Sequence, residues 1–492
     1  MFVTQAGAVI LVGASMAVES GSVTPSSLAS RLNEHASVQA HPEETAWQVL
    51  EGPLQAIPAP PDAIGVDAAV GIWPGMSDWD AWSAWAGDQD TLGAAIKEAA
   101  QRPVFGLKYG REAAGEANVE KGLFIDLGAE GERLVLPEFG YLRSINRLLK
   151  WSATEAYRLS EAGKGGDALA LMLDTIMVLR RVADREFVAE KEAAIRMMSS
   201  GLEVMRDLMY RYLDDIPGDA LKQLALHEIP SLRPGRDSLF MPEHDRRLAE
   251  AFLENAFDEK IGTADPEEFQ AVFTEVQASS KPLQRFGARR RWADLQDMHD
   301  SLEYSQERLA LIFDDWWRRW RSNDLDQLGR LILNQQSQFE LLNVARFAAL
   351  DAVVHDMSGL FEARDRLLME VNASSVAAGL AAYKSLRGVY PKELRMTFGI
   401  TMDKQWAVDT HAQISEGYRP WFVYRYMETP RQLDIGTQRV MVPAETGLLY
   451  SRGLDGLDNL AVLHADERGS GDLIIWPPPR DLIRAKQRDA SE

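Results

Sequence analysis

Near the end of the chain, Asp455, Asp458 and Asp472 stand around two glycines, Gly453 and Gly456. Carboxylates on a tight, glycine-containing loop suit a hard cation such as calcium, which takes six to eight oxygen ligands. The glycines permit the positive φ that such a loop needs. The same residues would also serve a plain hairpin in which Asp455-Gly456 makes the turn. A second group is aromatic. Trp79, Trp82 and Trp85 recur every third residue and share one face if their segment is helical. With Trp73 upstream and Asp78 and Asp80 alongside, such a row could form a platform for the sugar rings of a glycan or for a choline-like cation. The simpler reading is a short helix that packs its rings onto the body.

Other reactive constellations are sparse. Two basic islands, one with Arg285, Arg289, Arg290, Arg291 and Trp292, the other with Trp316 to Arg321, could grip phosphate or stack bases. On a helix, however, Asp314–Arg318 and Asp315–Arg319 are ordinary i,i+4 pairs, and Trp316 and Trp320 would line a buried seam. The chain contains no GxSxG elbow, no GxGxxG, no phosphate-cradling GxxxxGK[ST] and no HExxH. None of its eight histidines has another at i+2, i+3 or i+4, so no local two-histidine ligand set exists. The preferred reading is therefore non-enzymatic. The alternative is an extracytoplasmic glycan-binding protein or hydrolase using Trp73–Trp85.

Composition narrows the classes further. The chain has 492 residues, with 53 Lys+Arg against 74 Asp+Glu, a net charge of −21, and no cysteine. Thiolate metal sites, iron–sulfur ligation, disulfides and a cysteine nucleophile are all excluded. The acidity argues against nucleic-acid binding, which needs a basic face. Residues 1–100 hold only Arg31 and Lys97 against twelve acids, so they carry −10 of that charge. They begin with an apolar run, residues 1–18, read as a signal or anchor segment; a buried helix or strand and a disordered end are its alternatives. Nothing later approaches the run of about 18 apolar residues that a second span would need.

The hydropathy pattern divides the rest. Residues 19–64 are linker-like, with one short helix or strand expected at Thr45–Leu54, and 65–140 hold the Trp-rich segment with two short strands in GLFIDL and RLVLP. From 141 to 387 the apolar period is 3.6, with helices expected at 141–159, through ALALMLDTIMVLRRVA, and over 187–212, 243–257, 266–278, 288–320, 324–357 and 359–387. Residues 388–492 turn towards period 2, in WFVYRYM, QRVMVP and GLLYSRG, which read as an antiparallel sheet. The expected fold class is thus mainly α: a multi-helix bundle or α-solenoid-like body with a small C-terminal antiparallel β region (α+β).

That C-terminal order resembles the type II secretion pseudopilins. The matching residues are Tyr383, Gly388, Tyr390, Pro391 and Leu394 at the end of the long helix. They are followed by Leu449, Tyr450, Ser451, Gly453, Asp455, Gly456, Asp458 and Asp472 in the loop. The resemblance implies calcium held by the three aspartates with the Leu449 and Ser451 carbonyls. The sequence departs from the pattern at Asn459, where a second aspartate is frequent, and in the insertion LAVLHADERGSG before Asp472. The helical middle is similar to large uncharacterised helical envelope proteins of planctomycete-type bacteria. Together the two resemblances imply a location outside the cytoplasm or in the cell envelope and protein partners. Membrane anchoring would run through residues 1–18.

Overall fold

A computed structural model describes the chain at residues 22–35, 38–61, 69–87, 89, 91–230, 232, 239–258, 260–280, 287–322, 335–412, 420–435, 438–453, 455–462 and 471–489. The apolar run 1–18 lies outside the described residues. The protein is mainly α, with small antiparallel sheets of two or three strands.

The stretch whose composition reads as linker is folded onto the body. Thr24 caps α1 (Pro25–Asn33), accepting from the Ser27 amide, and Leu28 and Leu32 are buried. Helix α2 (Ala46–Ala56) buries Trp47, Leu50 and Leu54. These apolar residues sit at helical spacing among Ser, Pro and acids, and burial of that face outweighs the local composition. Next come α3 (Trp79–Gly87), α4 (Leu92–Ala100), α5 (Arg111–Ala114) and α6 (Glu116–Lys121). The two expected strands shrink to a bridge-like pair, β1 (Ile125–Asp126) against β2 (Glu138–Phe139), with RLVLP itself unpaired as a strand.

The helical centre follows the period-3.6 reading closely. Helix α7 (Tyr141–Glu161) buries Ile145, Leu148, Leu149, Ala156 and Tyr157, and ends where Gly163 takes φ +72°. Helix α8 (Gly165–Val182) starts on a glycine for a steric reason: a Cβ there would lie 2.7 Å from Ile216 Cγ1. Helices α7, α8 and α9 (Val188–Arg211) pack in sequence, and α10 (Gly218–Gln223) lies beyond them. A second group follows: α11 (His244–Ala256), α12 (Pro266–Ser280), α13 (Ala288–Gln296), α14 (Leu302–Ser322) and α15 (Ala348–Val353).

Two expected helices here are shorter than the period suggests. The 288–320 helix breaks between α13 and α14, where the Ser301 hydroxyl accepts from the Tyr304 amide and starts a new helix. Of the 324–357 helix, the described part is irregular from Ser337 to Phe347. There Asn343 Oδ1 accepts from the Ala345 and Arg346 amides, and Ser337 Oγ accepts from the Glu340 amide. Short polar side chains that bond nearby amides compete with the helix ladder, and in this stretch they win.

The 30-residue α16 (Ser358–Arg387) is the axis on which the two ends of the protein meet. It packs on α9 and α10 on one side and on the C-terminal sheet on the other. From Met369 to Tyr383 every residue is buried, the polar Glu370, Asn372, Ser374 and Ser375 included. Its small residues let neighbours come close; a Cβ on Gly379 would stand 2.8 Å from Met402 Cβ. Beyond it, β3 (Val423–Met427), β6 (Thr446–Ser451) and β7 (Leu473–Trp476) form a three-stranded antiparallel sheet in the order β3-β6-β7. Its centre, β6, is wholly buried. Strands β4 (Arg431–Ile435) and β5 (Gln438–Val442) make a separate ribbon. Strand β4 escapes sequence reading because only Leu433 in it is buried.

Helix α17 (Pro479–Asp489) returns to the helical body and clamps it. Arg484 donates to Asp207 Oδ2 at 2.5 Å and to the Val70 carbonyl at 2.9 Å, while Arg480 pairs with Glu203 at 2.7 Å. Arg206 on α9 pairs with Glu370 on α16 at 2.6 Å. No helix among the described residues is long and apolar enough to cross a membrane.

Candidate functional site

The Trp row forms on α3 and faces inward. Trp82 is 1% exposed and Trp85 8%, their rings edge-to-face at 5.5 Å, and Trp79 is half-buried against Tyr157. Trp73 is half-buried beneath the guanidinium of Arg484. These rings pack the short helix onto α7, so Trp82 and Trp85 offer no open face to a sugar. Trp316 and Trp320 on α14 are also buried, with Trp320 Nε1 donating to the Leu239 carbonyl.

The aspartate loop is held together largely by its own side chains. Asp455 accepts from the Leu457 amide at 2.8 Å and from Asn459 Nδ2 at 2.8 Å. Asp458 accepts from Tyr450 Oη at 2.9 Å, from Arg425 Nη2 at 3.2 Å and from the Leu460 amide at 3.0 Å. Those donors, despite some loss of hydration, hold the Asp458 carboxyl below its ordinary range. Asn459, the departure from the pseudopilin pattern, thus bonds Asp455. Asp472 accepts from the Ala461 amide through Oδ2, whereas its Oδ1 is buried with no hydrogen-bond partner. Burial, with Asp458 and Asp455 nearby, raises the Asp472 carboxyl. Leu449 lies inside β6, between Tyr424 and Trp476. Ser451 Oγ donates to the buried Asp409 at 2.8 Å. Among the described residues no three acidic or histidine side chains are grouped so as to hold a metal ion.

A different place gathers more polar chemistry than either of these. In the first turn of α9, the Glu190 carboxylate accepts from Tyr141 Oη at 2.7 Å, Tyr109 Oη at 3.0 Å and Arg185 Nε at 3.0 Å. All four side chains are buried. Burial beside this carboxylate raises both tyrosine hydroxyls well above their ordinary range. Arg185 Nη1 donates to the Leu107 carbonyl, its guanidinium lies 4.1 Å from the Tyr109 ring centre, and its Nη2 has no acceptor. Next to it, His244 sits among the rings of Tyr109, Phe187 and His35 at 4.8, 5.4 and 5.6 Å, and neither of its ring nitrogens has a partner. Burial beside Arg185 pushes the imidazole down to about 2. Asp245, buried and bonded to the Val188 amide, is pushed up to about 7.

Beside this buried network, with Arg185 in its lining, is a cleft of 480 Å³. It is lined by Pro103, Val104, Phe105, Phe240, Met241 and Trp317, and by the polar residues His35, Arg181, Asp184, Arg185, Glu186 and Glu243. Phe240 is 64% exposed, an unusual position for a large apolar ring. His35 Nδ1 lies 3.8 Å from Glu186 Oε1. The sequence gives little warning of this cleft, since its residues come from five distant stretches. Arg185 and Glu190, five apart at a helix start, look like surface charges until Tyr109 and Tyr141 fold over them.

No protein-family model, no curated protein and no solved structure matches the chain.

Proposed function

We propose that the protein is a non-enzymatic interaction protein of the cell envelope, exported or anchored, that rests on an anionic membrane surface through Leu386–Lys404. The observation that carries this reading is the character of that stretch. Leu386, Val389, Met396 and Ile400 are exposed by 50%, 57%, 42% and 41%. From Lys384 to Lys404, Lys384, Arg387, Lys392, Arg395 and Lys404 stand against Glu393 and Asp403, a charge of +3 over 384–404 in a chain of −21. Large apolar side chains rimmed by basic ones suit an interface of acyl chains and anionic headgroups.

Magnitudes favour a combined contact. Each basic residue near an anionic surface contributes about 1 kcal/mol. The net charge of this stretch alone would therefore give weak binding, and insertion of the four apolar side chains must add to it at up to about 1.5–3 kcal/mol each if fully buried. The acidic remainder is repelled, but only within a Debye length of about 8 Å, so it orients the protein more than it prevents contact. The pseudopilin-like order of the C-terminal region and the apolar run at 1–18 support the same location. Fractionation of cells tests it: the protein is expected with the envelope, and a purely cytosolic protein would overturn the reading.

A second reading is favoured by one atom. Asp472 Oδ1, buried without a partner, is the kind of oxygen a calcium ion in the Asp455–Asp472 loop would take up. Calcium is then expected to raise the melting temperature of the wild type and not that of Asp455→Ala. No rise, or an equal rise in both, contradicts it.

A further inference from the structure

We propose that Ile261, Met298, Tyr304, Leu341 and Val344 form a face on which a second copy of this chain docks. The five come from three stretches that backbone bonds bring together. The Leu302 amide donates to the Gly262 carbonyl at 2.9 Å, which joins the neighbourhoods of Tyr304 and Ile261. The Asp300 amide donates to the Arg346 carbonyl at 2.9 Å, which joins those of Met298 and Val344. Arg308, one turn along α14 from Tyr304, donates to the Leu341 carbonyl at 3.3 Å. Each of the five is more than half exposed, Ile261 by 72%. The core of this helix group is filled without them, by Phe257, Phe269, Phe273 and Trp292 in mutual ring contact and by Leu342.

Area and charge decide the occupant. Five large side chains at half exposure or more present on the order of 500 Å² of mostly apolar surface, the size at which a patch marks an interaction site. A standard interface buries about 800 Å² per partner, roughly 55–65% of it apolar, so it needs about 450–520 Å² of such surface from each side. The patch therefore matches what one partner in a stable dimer supplies. Its rim carries both signs. Lys260 and Arg346 are exposed beside Ile261 and Val344, while Asp297, Glu303 and Glu307 are exposed beside Met298 and Tyr304. Those acids would be repelled by anionic headgroups, unlike the basic rim at Leu386–Lys404. A twofold contact suits a mixed rim, because each copy brings the cations that the other copy's acids need.

Analytical ultracentrifugation of the full chain, without lipid, tests this. The wild type is expected in a monomer–dimer equilibrium that closes at two copies. Ile261→Glu and Tyr304→Glu lie at exposed positions on different elements, so both should keep their fold. Each puts a charge on both sides of the contact and should weaken the dimer at least about tenfold. Phe240→Glu, at an exposed ring beside Trp317 at the other end of α14, should leave the dimer unchanged. A wild type that stays monomeric at about 100 μM overturns the proposal. So does assembly that continues past two copies, an unweakened dimer in Ile261→Glu and Tyr304→Glu, or loss of the dimer in Phe240→Glu.

Discussion

Glu190→Ala is expected to destabilise the protein by about 3–5 kcal/mol, the cost of leaving a buried charge without its partner. The substitution would strand the Arg185 guanidinium at 1% exposure and remove the acceptor of both Tyr109 and Tyr141. A surface pair serves as the comparison. Arg196, 67% exposed, pairs with Glu192 one turn away, and Glu192→Ala should cost under about 1 kcal/mol. Replacing both members of the buried pair, as Arg185→Met with Glu190→Leu, should recover part of the loss, because no unpaired charge then remains. Urea unfolding of the four proteins checks the ranking. Equal losses for Glu190→Ala and Glu192→Ala would show that the interior network does not hold this region together.

His244→Phe is expected to change how stability depends on pH. In the folded protein the His244 imidazole is pushed down to about 2 by burial first, then by Arg185, His35 and Arg247. In the unfolded chain it takes a proton near its ordinary value of about 6.5. Between those values the unfolded state binds the extra proton, so His244 removes stability as pH falls, by about 1.4 kcal/mol per unit. The neighbouring Asp245 acts in the opposite sense. Its carboxyl is pushed up to about 7 by burial, so the folded state keeps a proton that the unfolded chain has released. That term adds stability as pH falls from about 7 to about 4. The two slopes oppose each other in the wild type above about pH 4, and below it the His244 loss stands alone. Phenylalanine, placed among the rings of Tyr109, Phe187 and His35, leaves the Asp245 gain uncovered. Relative to wild type, His244→Phe should therefore gain about 1.4 kcal/mol per unit on acidification from pH 6.5. Parallel pH profiles for the two proteins would contradict this placement of His244.

The helical centre was legible because its apolar residues recur with the helix period, so α7, α8, α9, α11, α12 and α16 fall within a few residues of where the pattern puts them. What escaped has local physical causes. Ser301 caps a new helix inside an unbroken-looking period, and Ser337 and Asn343 turn nearby amides away from another. Residues 19–64 read as linker because Ser, Pro, Ala and acids dominate, with one short helix or strand expected at 45–54; α2 forms there, while Leu28 and Leu32 bury a face of α1 that the composition hides. The spacing of the Trp row marks a helical face, and its burial agrees with the simpler reading of rings packed onto the body. The cleft was invisible in the sequence because the partners of Arg185 come from positions 107, 109 and 190, and nothing local marks a buried guanidinium. At this end of the long helix the sequence marks only the pseudopilin-like residues Tyr383, Gly388, Tyr390, Pro391 and Leu394, and nothing in it marks Leu386, Val389, Met396 and Ile400 as exposed.

Co-sedimentation with lipid vesicles tests the proposed membrane contact at Leu386–Lys404 most directly. Vesicles of phosphatidylglycerol mixed with phosphatidylcholine, and of phosphatidylcholine alone, would be spun with the full chain and with the triple variant Leu386→Glu, Val389→Glu, Ile400→Glu. All three positions are exposed, so the variant should keep its fold. The wild type should pellet with the anionic vesicles, less so at high salt and less with neutral ones, while the variant stays in the supernatant. A wild type that remains in the supernatant, or a variant that pellets as well as the wild type, would contradict a membrane contact at Leu386–Lys404.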